Sequence, residues 1–197
     1  MALTKGVRFA SVRAFVTERF GPGAWNDALR ALEAADRDAL AASVPVGWYD
    51  LALYARLVRA VDARFGAGDL ELVQALGRYD AERDLKAIQR LVLKLFGVAS
   101  AIAWVRKRWA RAYDTGAWTT EVKEREVVAR LSDLGVVDAA LCRGLAGYLA
   151  RALELAGAED VVIDETRCRA RGEPVCEFHA RFRVKDDAPA APAAGGR

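Results

Sequence analysis

The sequence predicts an α+β fold, with an N-terminal helical bundle packed on a small antiparallel sheet. Three features carry that expectation. Apolar residues recur at helical spacing through the first 115 residues, they alternate with polar ones after Gly116, and glycine or proline clusters mark the breaks between segments. A chain of 197 residues with 53% hydrophobic and 29% charged content has enough apolar surface for one sizeable core. No internal repeat or second domain is visible, so residues 1–184 read as one domain. Residues 185–197, rich in Asp, Pro, Ala and Gly with nothing to bury, read as a disordered tail.

The first helix is expected over Lys5–Phe20, with Phe9, Val12, Phe15, Val16 and Phe20 on one face and Gly21-Pro22-Gly23 as its stop. A short helix carries Trp25, Ala28, Leu29 and Leu32, and Asp36–Ala42 adds a turn or two. Asp50 is placed to cap a helix buried through Leu53, Tyr54, Leu57, Val58, Val61 and Phe65. Gly66 and Gly68 break it, and Asp69 caps a long helix with Leu72, Val73, Leu76, Leu85, Ile88, Leu91, Val92 and Leu95 on its apolar side. Gly77 is expected to bend or split that helix, and a further helical segment holds Ile102, Val105, Trp109 and Ala112.

After Gly116 the period becomes two. Trp118, Thr120 and Val122 form one strand face, and Val127, Ala129 and Leu131 form the next. A helix from about Asp138 to Ala156, stopped at Gly157, buries Leu141, Leu145, Tyr148, Leu149 and Leu153. Val161–Arg167 and Val175–Val184 are the last strands, joined by a turn at Arg171-Gly172. Cys176, Phe178, Ala180, Phe182 and Val184 share one face of the final strand, and Glu177, His179, Arg181 and Arg183 share the wet one.

The net charge of +3 comes from 30 basic and 27 acidic residues, well interspersed, which argues against nucleic acid as a partner. The densest basic run, Arg106-Lys107-Arg108 with Arg111, reads as the solvated face of a helix. No apolar run is long enough to insert in a membrane, and the first residues lack a signal-peptide core. A cytoplasmic location is expected, where thiols stay reduced. Heavy alanine and arginine usage points to a bacterial source.

Little in the sequence supports catalysis, and the chain is read as not an enzyme. The single histidine, His179, lies on a wet strand face and excludes any site needing two histidines. Asp114-Thr115-Gly116 has the letters of an aspartic-protease motif but follows a helical end, so it reads as a helix-to-strand turn. The glycine clusters at 21–23 and 66–68 lack the spacing of a phosphate loop. Trp104, Trp109, Tyr113, Trp118 and Tyr148 are candidates for lining a small apolar cavity, or equally for core.

All three cysteines fall late in the chain. Cys168 and Cys176 flank the Arg171-Gly172 turn, with Glu165 three residues before and Cys142 twenty-six before Cys168. Three thiolates and a carboxylate would satisfy four-coordinate zinc, whereas isolated cysteines are often just small buried apolar groups, and spacing alone leaves both readings open. Glu165 and Cys168 lie an odd number of residues apart, so a regular strand points them to opposite faces. Shared ligation therefore requires a bulge or strand end near Thr166-Arg167.

The run Cys168-x3-Gly172-x3-Cys176-x-Phe178 resembles the C-terminal signature of the 4-vinyl-reductase-like domain. This domain belongs to the superfamily of TRAPP tethering proteins and nitric-oxide-signalling ligand-binding domains. The helix around Leu141–Leu149 and the strand pair opened by Trp118 resemble it too. The sensor domains of phenol-responsive activators in that family hold a structural zinc through three cysteines and a glutamate. Cys142, Glu165, Cys168 and Cys176 match their offsets, so the resemblance implies a structural zinc on these four residues. The opening Lys5–Phe9, with Phe15, Phe20 and Trp25, is similar to heme nitric-oxide-binding domains. Their proximal histidine has no counterpart in the helical half, so no heme is expected, and no residue matches the histidine that contacts phenol in the activators.

The resemblance implies a TRAPP-like, ligand-binding NO-signalling fold and a non-catalytic sensor or adaptor module. Such a module would take a small apolar molecule and signal through a separate partner protein, and a homodimer through the helical half is expected. The alternative is a ligand-free homodimeric scaffold whose cavity is filled by side chains. An enzyme acting on a tetrapyrrole vinyl group stands last, since no redox-cofactor motif accompanies it.

Overall fold

The computed structural model describes residues 1–84 and 87–184, apart from the side chains of residues 87–97, 99 and 100. Seven described helices and six strands alternate in the order β1 (Leu3–Lys5), α1 (Val7–Phe20), α2 (Ala24–Leu29), α3 (Ala34–Ala41), β2 (Trp48–Asp50), α4 (Leu51–Phe65), α5 (Glu71–Asp84), α6 (Ala87–Ala112), β3 (Ala117–Lys123), β4 (Glu126–Ser132), α7 (Ala139–Leu155), β5 (Ala158–Arg167) and β6 (Cys176–Val184). The architecture is α+β, as expected.

The C-terminal sheet has strand order β3-β4-β6-β5 and is antiparallel throughout. Val127, Ala129 and Leu131 of β4 and Cys176, Phe178, Ala180 and Phe182 of β6 point to the helices and are buried. Their register sets Leu131 beside Cys176 and Ala129 beside Phe178. The last inward position of β6, Val184, is 41% exposed because the strand runs past the core there. On the outer face, cross-strand ion pairs replace apolar contacts, among them Arg181–Asp164 at 2.6 Å and Arg130–Glu177 at 2.6 Å.

Capping fixes where the helices begin. The Asp50 carboxylate accepts from the Ala52 amide at 2.9 Å and Asp138 from Ala140 at 2.7 Å, each satisfying an amide the first turn leaves unpaired. Asp69 does the same for Glu71 at 3.0 Å. Gly157 ends α7 with φ near 96°, a left-handed conformation that glycine adopts at low cost.

Three expectations are corrected. The long helix expected over residues 69–95 is two helices, broken between Asp84 and Ala87 and not at Gly77, and α6 runs on unbroken to Ala112. Gly77 instead permits a close crossing: a Cβ there would stand 1.8 Å from the Gly144 carbonyl oxygen, and one at Gly147 2.0 Å from that of Gln74. Helices α5 and α7 thus meet backbone to backbone. The first helix starts at Val7, because Leu3–Lys5 form β1 and pair with β2. Three-residue strands carry too short a pattern for alternation to reveal them. The pair is anchored by long-range contacts: the buried Thr4 hydroxyl donates to the Ala112 carbonyl at 3.0 Å, and the Leu3 amide to the Asp114 carboxylate at 2.6 Å. Asp114 therefore tethers the N-terminus at a helix-to-strand turn. The expected tail (185–197), Leu85, and the burial of Ile88, Leu91, Val92 and Leu95 lie outside what is described.

Candidate functional site

Two strands and one helix bring the four sequence-predicted ligands together. Between the pairs Glu165↔Phe178 and Arg167↔Glu177, β5 advances two residues while β6 advances one, so Thr166 is the extra residue of a bulge. The bulge cancels the alternation, and Glu165 and Cys168 face the same point. Beyond Cys168 the chain turns through Arg169–Arg171 and a left-handed Gly172 at φ 88°, returning Cys176 to that point from β6. Cys142 descends from the first turns of α7.

One donor atom from each of Cys142, Glu165, Cys168 and Cys176 lies within 4.8 Å of the other three. All three cysteines are buried and unbridged. The Cys142 thiol donates to Cys176 Sγ at 3.1 Å, and the Arg169 amide donates to the same sulfur at 3.5 Å. That donation from Cys142 is the main cause drawing the Cys176 pKa down to about 6. The same contact, aided by burial, drives Cys142 far up. Burial first, then the bond with Glu165, pushes Cys168 to about 11. Arg171 donates to Glu165 Oε2 at 3.2 Å. The other oxygen, Oε1, is buried with no hydrogen-bond partner among the described residues. A buried carboxylate oxygen left unpaired is costly, and a cation at the centre of this cluster would pair it. Three sulfurs and one oxygen are a donor set suited to a four-coordinate, borderline-soft ion. The residues fit a metal.

Beside the cluster lies a cavity of about 730 Å³, part of it open to solvent, and Cys142 lies in its wall. Of the aromatic residues expected at a pocket, Trp109, Tyr113 and Tyr148 line this cavity. Trp118 lines a second, of about 480 Å³, between α6, α7 and the sheet. Val105 borders both. Trp104 lines neither and stacks parallel to Tyr148 with centroids 6.3 Å apart. Trp109 holds its wall position through its indole N–H, which donates to the Thr115 carbonyl at 3.0 Å, and by stacking on Tyr113 at 4.1 Å. His179 is on the far face of the sheet, 3.5 Å from Glu126.

The sequence reading missed the polar wall of the larger cavity. Arg8 bonds Asp80 at 2.8 Å and the Tyr54 hydroxyl at 3.0 Å. Burial raises the Asp80 pKa, an effect that Arg8 only partly opposes. Arg108 grips Asp84 through two bonds of 2.9 and 2.7 Å, and the Tyr148 hydroxyl donates to Asp84 at 3.2 Å. Arg108 is thus not on a solvated face, unlike exposed Arg106, Lys107 and Arg111. A signal was available: Asp80 stands four residues after Leu76 and Arg108 three after Val105, charged residues on otherwise apolar helical stripes.

The family model of the 4-vinyl-reductase-like domain matches residues 118–182, which span β3 to β6 and all four candidate ligands. No curated protein matches the chain. Among solved structures, the Fe(II) unliganded H-NOX protein from K. algicida aligns at a TM-score of 0.65, with 13% identity over 91% of this chain and 96% of its own. An H-NOX protein from S. oneidensis in the Fe(II)NO ligation state aligns at 0.61, with 18% identity over 91% of this chain and 99% of its own. The IWP-051-bound H-NOX from Shewanella woodyi gives 0.55, with 18% identity and 93% and 96% coverage. At such identities the likeness concerns the fold: this chain has the α+β ligand-binding, NO-signalling fold of H-NOX proteins, and its C-terminal third matches the 4-vinyl-reductase-like domain.

Proposed function

We propose that this protein is a non-catalytic, cytoplasmic sensor or adaptor module in which a structural zinc on Cys142, Glu165, Cys168 and Cys176 fixes one wall of a small-molecule cavity. The observation that carries this reading is the double position of Cys142, which belongs both to the donor cluster and to the cavity lining. Helix α7 supplies Leu141, Leu145 and Tyr148 to the same wall, so an ion joining α7 to the β5–β6 hairpin would hold the cavity's shape. Four protein donors leave zinc no open coordination position, which suits a staple and not a hydrolytic centre. Zinc would also supply the positive charge that lets three crowded thiols ionise together.

The reading includes no heme, since the chain's one histidine, His179, is on the opposite face of the sheet from the cavity. No helix among the described residues is long and apolar enough to cross a membrane. Output would pass through a separate signalling protein, and pairing of two copies through the helical half completes the proposal. Native mass spectrometry of protein purified without added metal tests it. One zinc per chain is expected, and a folded chain carrying no metal would overturn the staple.

A further inference from the structure

We propose that the larger cavity selects uncharged ligands with an apolar body, and that Asp84 is the residue that sets this selectivity. The inference rests on reading the cavity as a ligand site.

Two guanidinium groups, Arg8 and Arg108, stand in the cavity wall. Free, they would invite an anion. Neither is free. Arg8 is paired with Asp80, whose side chain is 2% exposed, and Arg108 is gripped at two points by Asp84, 19% exposed. Asp80 also accepts from the Ser11 hydroxyl, and Asp84 from Tyr148. Two positive charges thus meet two negative ones, and the polar wall is neutral.

An entering carboxylate would be a buried charge with no counterion, which is strongly disfavoured, and an entering ammonium would find both carboxylates taken. What remains for recognition is apolar and aromatic surface from Leu51, Val105, Trp109, Leu131 and Leu134. Past Val105, the second cavity is walled by Ile102, Val127, Ala129 and Phe178 and suits a further apolar portion of a ligand. Of the two carboxylates, only Asp84 lies in the wall itself, while Asp80 sits behind Arg8. Asp84 therefore decides whether Arg108 presents a neutralised pair or a bare cation.

Isothermal titration calorimetry with matched neutral and anionic probes tests this on the full, metal-bearing chain at neutral pH. The probes are 2-naphthamide against 2-naphthoate, and octanamide against octanoate. Each amide is expected to bind at least about tenfold more tightly than its acid. Asp84→Asn keeps the side-chain shape and unmasks Arg108, and should shift the acid-to-amide ratio by at least about tenfold toward the acid. The double variant Asp84→Asn with Arg108→Met restores neutrality and should restore the preference for amides, with circular dichroism confirming the fold. Should Asp84→Asn alone not fold, the wild-type ratio and the double variant decide the matter. Equal binding of acid and amide by the wild type, or an unchanged ratio in Asp84→Asn, overturns the selectivity. If none of the four probes binds, the ligand-site reading itself falls.

Discussion

Cys142 Sγ and Cys176 Sγ lie 3.1 Å apart although 34 residues separate them, one on a helix and the other opening the last strand. This contact ties α7 to the C-terminal hairpin inside the core. If it is one edge of a metal site, Cys176→Ser removes a ligand along with a packed sulfur. The expected cost in urea unfolding is then more than about 3 kcal/mol, with loss of bound metal. A loss of about 1–3 kcal/mol with no change in metal content would mean the sulfur is there only to pack.

Metal removal supplies an independent prediction. An ion bound only by the folded chain adds stability that grows with its free concentration. In zinc-buffered solutions, each tenfold rise in free zinc above the dissociation constant should add about 1.4 kcal/mol to the unfolding free energy. A strong chelator should lower the midpoint, and restored zinc should recover it. A midpoint indifferent to zinc contradicts a folding-linked site.

Helix propensity and packing oppose each other at Gly77. Alanine in an exposed helix would gain about 1 kcal/mol over glycine. Here the added methyl would stand 1.8 Å from the Gly144 carbonyl oxygen. The crossing of α5 and α7 must open, so Gly77→Ala should destabilise by about 1–3 kcal/mol. Thermal unfolding checks the sign.

Arg56 donates two hydrogen bonds of 2.7 Å to Asp36, and this contact is the main cause holding the Asp36 pKa below its ordinary value. A carboxylate with a depressed folded pKa contributes stability above its unfolded pKa and loses it as pH falls through the folded one. Asp36→Asn should therefore cost about 0.5–1 kcal/mol at neutral pH, in keeping with a partly exposed pair. The difference from wild type should shrink as the pH is lowered below about 4. Chemical unfolding at pH 7 and pH 3 measures both values.

Much of the C-terminal half was legible in the sequence because its signals are local. Alternation of Val127, Ala129 and Leu131 defines a half-buried strand, and Asp138 before an apolar stripe marks a helix start. The ligand cluster was legible through spacing, and the parity conflict between Glu165 and Cys168 located the bulge at Thr166. Long-range features were not legible. The break between Asp84 and Ala87 carries no glycine or proline, and the role of Gly77 depends on a helix some seventy residues away. Trp104 and Trp118 have suitable chemistry for a cavity wall, yet helix rotation and strand position place one against Tyr148 and the other in the second cavity. The pairs Arg8–Asp80 and Arg108–Asp84 join different helices, so no single amphipathic pattern displays them.

X-ray absorption at the zinc edge of the purified protein tests the metal centre most directly. The account predicts a coordination sphere of three sulfurs at about 2.3 Å and one oxygen at about 2.0 Å, as Cys142, Cys168, Cys176 and Glu165 would supply. A sphere without sulfur, or a folded protein that takes up no zinc, would contradict it.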